Sequence, residues 1–244
     1  MTFIYDGSFE GFLTSVFDGY LLKNHCEEIL PAGKESPLFS DLQQVETDGE
    51  KANRVEAALK KYSPRAWEMV FHAWLSHLPG IEDRLLHFIR LCFSGIDAPS
   101  VMQHSDVQAV FEAARAVSKQ AALYMGILRF SLIQGIYTAD MKADYDLLPL
   151  LGGHFSRRFG EDPFLIRDRR FNRALLGRKG RWCIVDAREL TEAPTAPVDD
   201  FERMWVSYFH AMAIRERVTA SSARAHVPQK HWKYLTERRF SDQK

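Results

Sequence analysis

Apolar side chains recur along this chain at two different spacings, and the change of spacing divides it. Phe9, Phe12, Leu13, Val16, Phe17, Tyr20 and Leu21 repeat every three or four residues, the period of one helix face. Ser8 precedes them as an N-cap, and Asp6-Gly7 turns the chain out of a short opening strand. Residues 31–48 are polar and broken by Pro31, Gly33 and Pro37, which predicts a connector with one exposed edge strand. Helical spacing then returns over 49–62, over 63–77 from a Ser63-Pro64 start to a Pro79-Gly80 stop, over 81–93, and over 105–124. Trp67, Val70, Phe71, Trp74, Leu75, Leu85, Phe88, Ile89 and Cys92 are the core positions of these segments.

From residue 126 onward the runs shorten to strand length. Residues 127–132 and 135–141 flank a Gln134-Gly135 turn and predict a hairpin. Pro149 suits the first turn of a helix that buries Leu148, Leu151, Phe155 and Phe159 and leaves His154, Arg157 and Arg158 on the other side. Gly152-Gly153 weakens that helix and lets a backbone or ligand come close. Three short strands follow at 164–168, 173–176 and 182–185, completing a five-stranded antiparallel or mixed sheet. The fold class is α+β: a mainly helical part with an N-terminal strand, 1–125, and an α+β basic part, 126–244, in one continuous globular unit. A Pro-rich linker, TEAPTAPVDD, leads to a last amphipathic helix that starts at Asp199 with Glu202 three residues on.

Composition narrows the class only a little. The chain has 244 residues, 46% hydrophobic and 26% charged, which are ordinary globular values. Cys26, Cys92 and Cys183 lack CxxC spacing, so they read as reduced thiols in the cytoplasm, and neither a disulfide framework nor a Cys-built metal site is indicated. His72, His77 and His87 lack metal-ligand spacing and read as structural or surface histidines. No signal peptide or bilayer-length apolar run is visible, so no membrane association is expected.

Charge changes the picture more. The net charge is zero, yet residues 1–60 carry eleven acidic against five basic side chains, and residues 215–244 carry eight basic against three acidic. Residues 156–181 hold nine Lys or Arg against three Asp or Glu. A small basic sheet with a basic helix is an anion-binding surface, and Arg157, Arg158, Arg167, Arg169, Arg170 and Arg173 are its candidate phosphate contacts. In the C-terminal tail, Lys230, Trp232 and Lys233 interleave cations with a ring, a pattern that suits a nucleic-acid strand or equally a docked helix. The strand–Asp6-Gly7-Ser8–helix corner leaves free backbone N–H groups suited to a phosphate, and it is also what a tight turn through Gly7 looks like.

Three longer stretches carry a family resemblance. IYDGSFEGFLTSVFDGY, LRFSLIQGIYTADMKADYDLLPLLGGHFSRRF and FERMWVSYFHAMAIRER with VPQKHWKYLTE, in this order, resemble a bacterial family labelled probable DNA metabolism protein. The resemblance spans nearly the whole chain. It implies a companion radical SAM protein of DNA modification or repair, and in some members a fused uracil-DNA-glycosylase-type domain. The matching positions include Tyr5, Asp6, Gly7, Ser8 and Glu10, then Gly126, Arg129, Phe130, His154, Arg157 and Arg158, then Trp205, Tyr208, Glu216, Arg217, Pro228, Trp232 and Lys233. Gln120 and Ala122 stand where the resemblance implies a Glu-x-His pair, and Thr219-Ala220 where it implies Asn-Pro.

These readings converge on a DNA-associated accessory protein that binds nucleic acid through the basic face and acts with the radical SAM partner, with no cofactor of its own. A DNA-acting hydrolase or glycosylase-like enzyme is the alternative. In that case Asp6 or Glu10 is the general base, His154 the acid or electrophile, and Arg157 and Arg158 the phosphate clamp. An interaction scaffold without DNA contact is the third.

Overall fold

The computed structural model describes residues 1–21, 26–34, 41–96 and 103–189. The chain forms two compact units, Met1–Ser118 and Lys119–Lys244, whose boundary falls inside one long helix. The whole is α+β, with a five-stranded mixed sheet and flanking helices in the second unit. Among the described residues no helix is long and apolar enough to cross a membrane.

In the first unit, β1 (Thr2–Tyr5) is the middle strand of a three-stranded parallel sheet, between β2 (Glu28–Pro31) and β3 (Leu42–Gln44). The sequence shows neither the sheet nor β2, because a four-residue strand is too short to display a period. β3 falls in the polar 31–48 connector and is exposed throughout. Helix α1 (Phe9–Leu21) crosses between β1 and β2, as two parallel neighbours require. Its start is as the sequence predicts: the Ser8 hydroxyl accepts from the Gly11 N–H at 2.9 Å. Helices α2 (Gly49–Tyr62), α3 (Pro64–Trp74) and α4 (Ile81–Phe93) supply the rest of the core. Phe9 lies among the rings of Trp67, Phe71 and Trp74, with centroids 5.0–5.5 Å away. His72 is taken up structurally, its Nδ1 lying 2.7 Å from the Ser118 hydroxyl, and burial holds it below the ordinary histidine range.

Helix α5 (Ser105–Ile127) runs further than the 105–124 expected. Ile127 ends the helix, and Leu128 still donates to the Tyr124 carbonyl, so β4 shrinks from 127–132 to Ser131–Ile133. Ile127 and Leu128 are buried, and a buried apolar pair fits a helix end as well as a strand. β5 (Ile136–Met141) returns through a Gln134-Gly135 turn with both residues at positive φ. Helix α6 (Leu148–Phe159) then crosses to β6 (Phe164–Asp168), which lies parallel to β5. β7 (Arg173–Arg178) and β8 (Arg181–Asp186) follow antiparallel, giving the order β4-β5-β6-β7-β8.

Helix α6 covers one face of this sheet, and an aromatic layer fills the gap. Phe159 stands 4.7 Å from Phe130, 5.0 Å from Tyr137 and 5.1 Å from Phe164 between ring centroids. Two glycines make the layer possible. A Cβ at Gly177 would lie 2.1 Å from the Phe164 ring, and one at Gly152 would lie 2.5 Å from the Trp182 indole. The close approach expected at Gly152-Gly153 is therefore made by a tryptophan from β8.

Candidate nucleic-acid interface

The arginines of residues 157–181 fall into two groups near opposite ends of β7. Arg173 begins that strand and Arg178 ends it, a span of roughly 16 Å at 3.3 Å per residue.

At the Arg173 end every candidate arginine meets a carboxylate. Arg167 is buried and grips Asp140 with two bonds, Nε to Oδ1 at 2.7 Å and a terminal nitrogen to Oδ2 at 3.1 Å. The two are register partners on the parallel strands β5 and β6, which is why they meet. Arg169 shares the same carboxylate at 3.2 and 3.4 Å. Arg170 pairs with Asp144 at 3.6 Å and covers the Phe171 ring, while Arg173 pairs with the buried Asp146. Gln120 completes the set, donating to the Asp144 side chain at 2.7 Å and accepting from its backbone N–H at 2.9 Å. The amide that replaces an expected glutamate thus holds a carboxylate that a glutamate would repel.

Asp168 lies at the same end. It is 1% exposed, and its Oδ1 accepts from the Arg170 and Phe171 backbone N–H groups at 2.8 and 3.5 Å. Its Oδ2 has no hydrogen-bond partner among the described residues, and burial pushes the carboxyl up to about 6, with Asp146 adding to the shift.

At the Arg178 end the cations carry no such partners. The β7–β8 hairpin turns through Lys179 and Gly180, both at positive φ, as two-residue hairpins require. Arg178 and Arg181 face each other in register, and like charges directly opposite repel. The turn is tied to the end of α6 by a bond from the Gly180 N–H to the Gly160 carbonyl at 3.1 Å. Arg157 and Arg158 are exposed in the last turn of that helix, and Arg158 lies over Phe155 and Phe159 at 5.9 and 6.0 Å. Among the described residues, Arg157, Arg158, Arg178, Lys179 and Arg181 enter no ion pair. Arg157 and Arg158 also balance the negative end of the helix dipole. That accounts for a cation at the helix end but not for three more on the hairpin.

The proposed catalytic residues have plainer settings. Asp6 is spent on its turn: Oδ1 accepts from the Ser8 N–H and hydroxyl at 2.8 and 2.6 Å, and Oδ2 from the Thr47 hydroxyl at 2.9 Å. Although partial burial works the other way, these bonds hold its carboxyl below the usual range, the wrong direction for a general base. Glu10 is exposed in the first turn of α1. Both belong to the first unit. His154, in the second, is half-buried edge-on to Phe155 with centroids 4.9 Å apart. Lys230, Trp232 and Lys233 lie outside the described residues.

Residues 79–237 match the model of a protein family described as domain of unknown function DUF4130. The chain belongs to the DUF4130 family. No curated protein and no solved structure matches it. The DUF4130 span contains both arginine groups, His154 and the hairpin, while Asp6 and Glu10 lie before it. Within that span, sequence reasoning passed over Arg178, Lys179, Arg181 and Trp182. Arg-Lys-Gly-Arg between two apolar runs was the signal, a hairpin tip with a cation at every position that takes one.

Proposed function

We propose that this protein is a DNA-associated accessory protein that binds nucleic acid through the end of the second unit where α6 meets the β7–β8 hairpin. One observation carries the reading: Arg157, Arg158, Arg178, Lys179 and Arg181 gather there without carboxylate partners among the described residues. Repulsion between unpaired cations is relieved by a polyanion, whose backbone charges they match. Of the nucleic-acid contacts expected, Arg157 and Arg158 are kept, and Arg178, Lys179 and Arg181 stand in for Arg167, Arg169, Arg170 and Arg173. Arg167, Arg169, Arg170 and Arg173 hold the sheet. The resemblance to the DNA-metabolism family supports DNA as the polyanion and a radical SAM enzyme of DNA modification or repair as the working partner.

Binding of labelled DNA, followed by anisotropy across salt, tests this. If the cations each neutralise a phosphate, affinity falls about two to three orders of magnitude from about 50 to about 200 mM salt. A flat response, or no binding to either single- or double-stranded DNA at low salt, rejects it. Co-purification of the radical SAM protein with and without DNA tests the partnership separately.

A further inference from the structure

Between the last turn of α6 and the hairpin tip lies a pocket of about 490 Å³, lined by Gly153, Ser156, Arg157, Glu161, Lys179 and Trp182. We infer that this pocket takes one unstacked nucleotide of a single strand, its base against Trp182 and its phosphate between Arg157 and Lys179. The inference rests on the nucleic-acid reading above and narrows it to a form of the ligand.

Three features support this. Trp182 is 41% exposed, while one face of its indole lies on Gly152, where a Cβ would come within 2.5 Å. The ring is thus fixed from behind by the helix backbone and open in front, which is how a stacking platform is built. Second, among the described residues Arg157 and Lys179 are exposed and unpaired and Glu161 is the single carboxylate lining the pocket, so the balance of that lining is positive. Third, Ser156 is 5% exposed, and its hydroxyl has no hydrogen-bond partner among the described residues. A buried hydroxyl without a partner destabilises the fold, and turned toward the pocket that Ser156 lines it would be satisfied by a ligand oxygen or base edge. The volume falls in the range that holds one small ligand, which admits a nucleotide and leaves no room for a duplex.

The test compares a short single-stranded oligonucleotide with a blunt duplex of the same sequence at equal salt. Wild type should prefer the single strand by at least about tenfold, in line with the contribution of one stacked base. Trp182→Ala should abolish the preference and Trp182→Phe should keep most of it. Ser156→Ala guards against a folding artefact: its unfolding midpoint should stay or rise, while single-strand affinity falls several-fold. Equal binding of both forms, or a preference untouched by Trp182→Ala and Ser156→Ala, overturns the pocket but leaves the salt-dependent DNA reading in place. No binding of either form overturns both.

Discussion

The two ends of strand β7 are built from the same residue type and differ in what stands beside it. At the Arg173 end, Asp140, Asp144 and Asp146 reach in from β5 and the loop before α6, so four arginines pair with three carboxylates and one of the four is buried. At the Arg178 end the neighbours are the last turn of a helix, Glu161 just after it and a two-residue turn, and among the described residues the cations pair with no carboxylate. Guanidinium groups at the first end hold a parallel pair of strands in register. Those at the second are available to something outside the chain. Counting charges along the sequence merges the two, although only one of them has charge to spare.

The largest effect should come from breaking the paired end. Asp140→Ala leaves the guanidinium of Arg167 buried without its carboxylate, which costs about 3–5 kcal/mol, read from urea unfolding. At that end too, Asp168 makes stability depend on pH. Its folded carboxyl titrates near 6, above an unfolded value near 3.8, so the folded protein holds the proton longer. Its contribution to stability is therefore fully present below about pH 4 and is lost as pH rises toward and through about 6, by an amount on the order of 3 kcal/mol. Asp168→Asn should flatten this slope, because the amide oxygen still accepts from Arg170 and no charge has to form. Unfolding midpoints between about pH 4 and 7 check it, and an unchanged slope contradicts it.

The next effect is smaller and sits near the other end. Gly177→Ala forces a methyl against the buried Phe164 ring and should cost about 1–3 kcal/mol, with the aromatic layer loosened in near-ultraviolet circular dichroism. Smallest in stability is the double change Arg157→Ala, Arg158→Ala, within about 1 kcal/mol of wild type because both side chains are exposed and lose only dipole and ring contacts. The same change should lower the salt slope of DNA binding by about one for each phosphate that the variant no longer neutralises. A large stability loss there would mean that these arginines, too, are structural, and the contrast between the ends would collapse.

Much of this was legible in the chain. Helix spacing marked α1 to α4 and the buried stripe of α6, because a one-sided apolar face repeats with a fixed period. Cap and turn residues at Ser8, Ser63-Pro64 and Gln134-Gly135 act within a few residues of their own position and needed no tertiary context. The opening parallel sheet was not legible, since its strands are three or four residues long and pair across α1 and a connector. Nor was the end of α5, where buried Ile127 and Leu128 serve a helix as readily as a strand.

What the sequence determined alone was local: which segments are helix or strand, which side of each is apolar, and that a stretch rich in arginine would be exposed somewhere. Which arginines remain free was decided by tertiary structure. An ion pair joins residues about 27 positions apart, and their meeting depends on strand order and register, which carry no local signature. Parallel pairing of β5 with β6 set Arg167 beside Asp140, while the hairpin carried Lys179 and Trp182 to the end of α6.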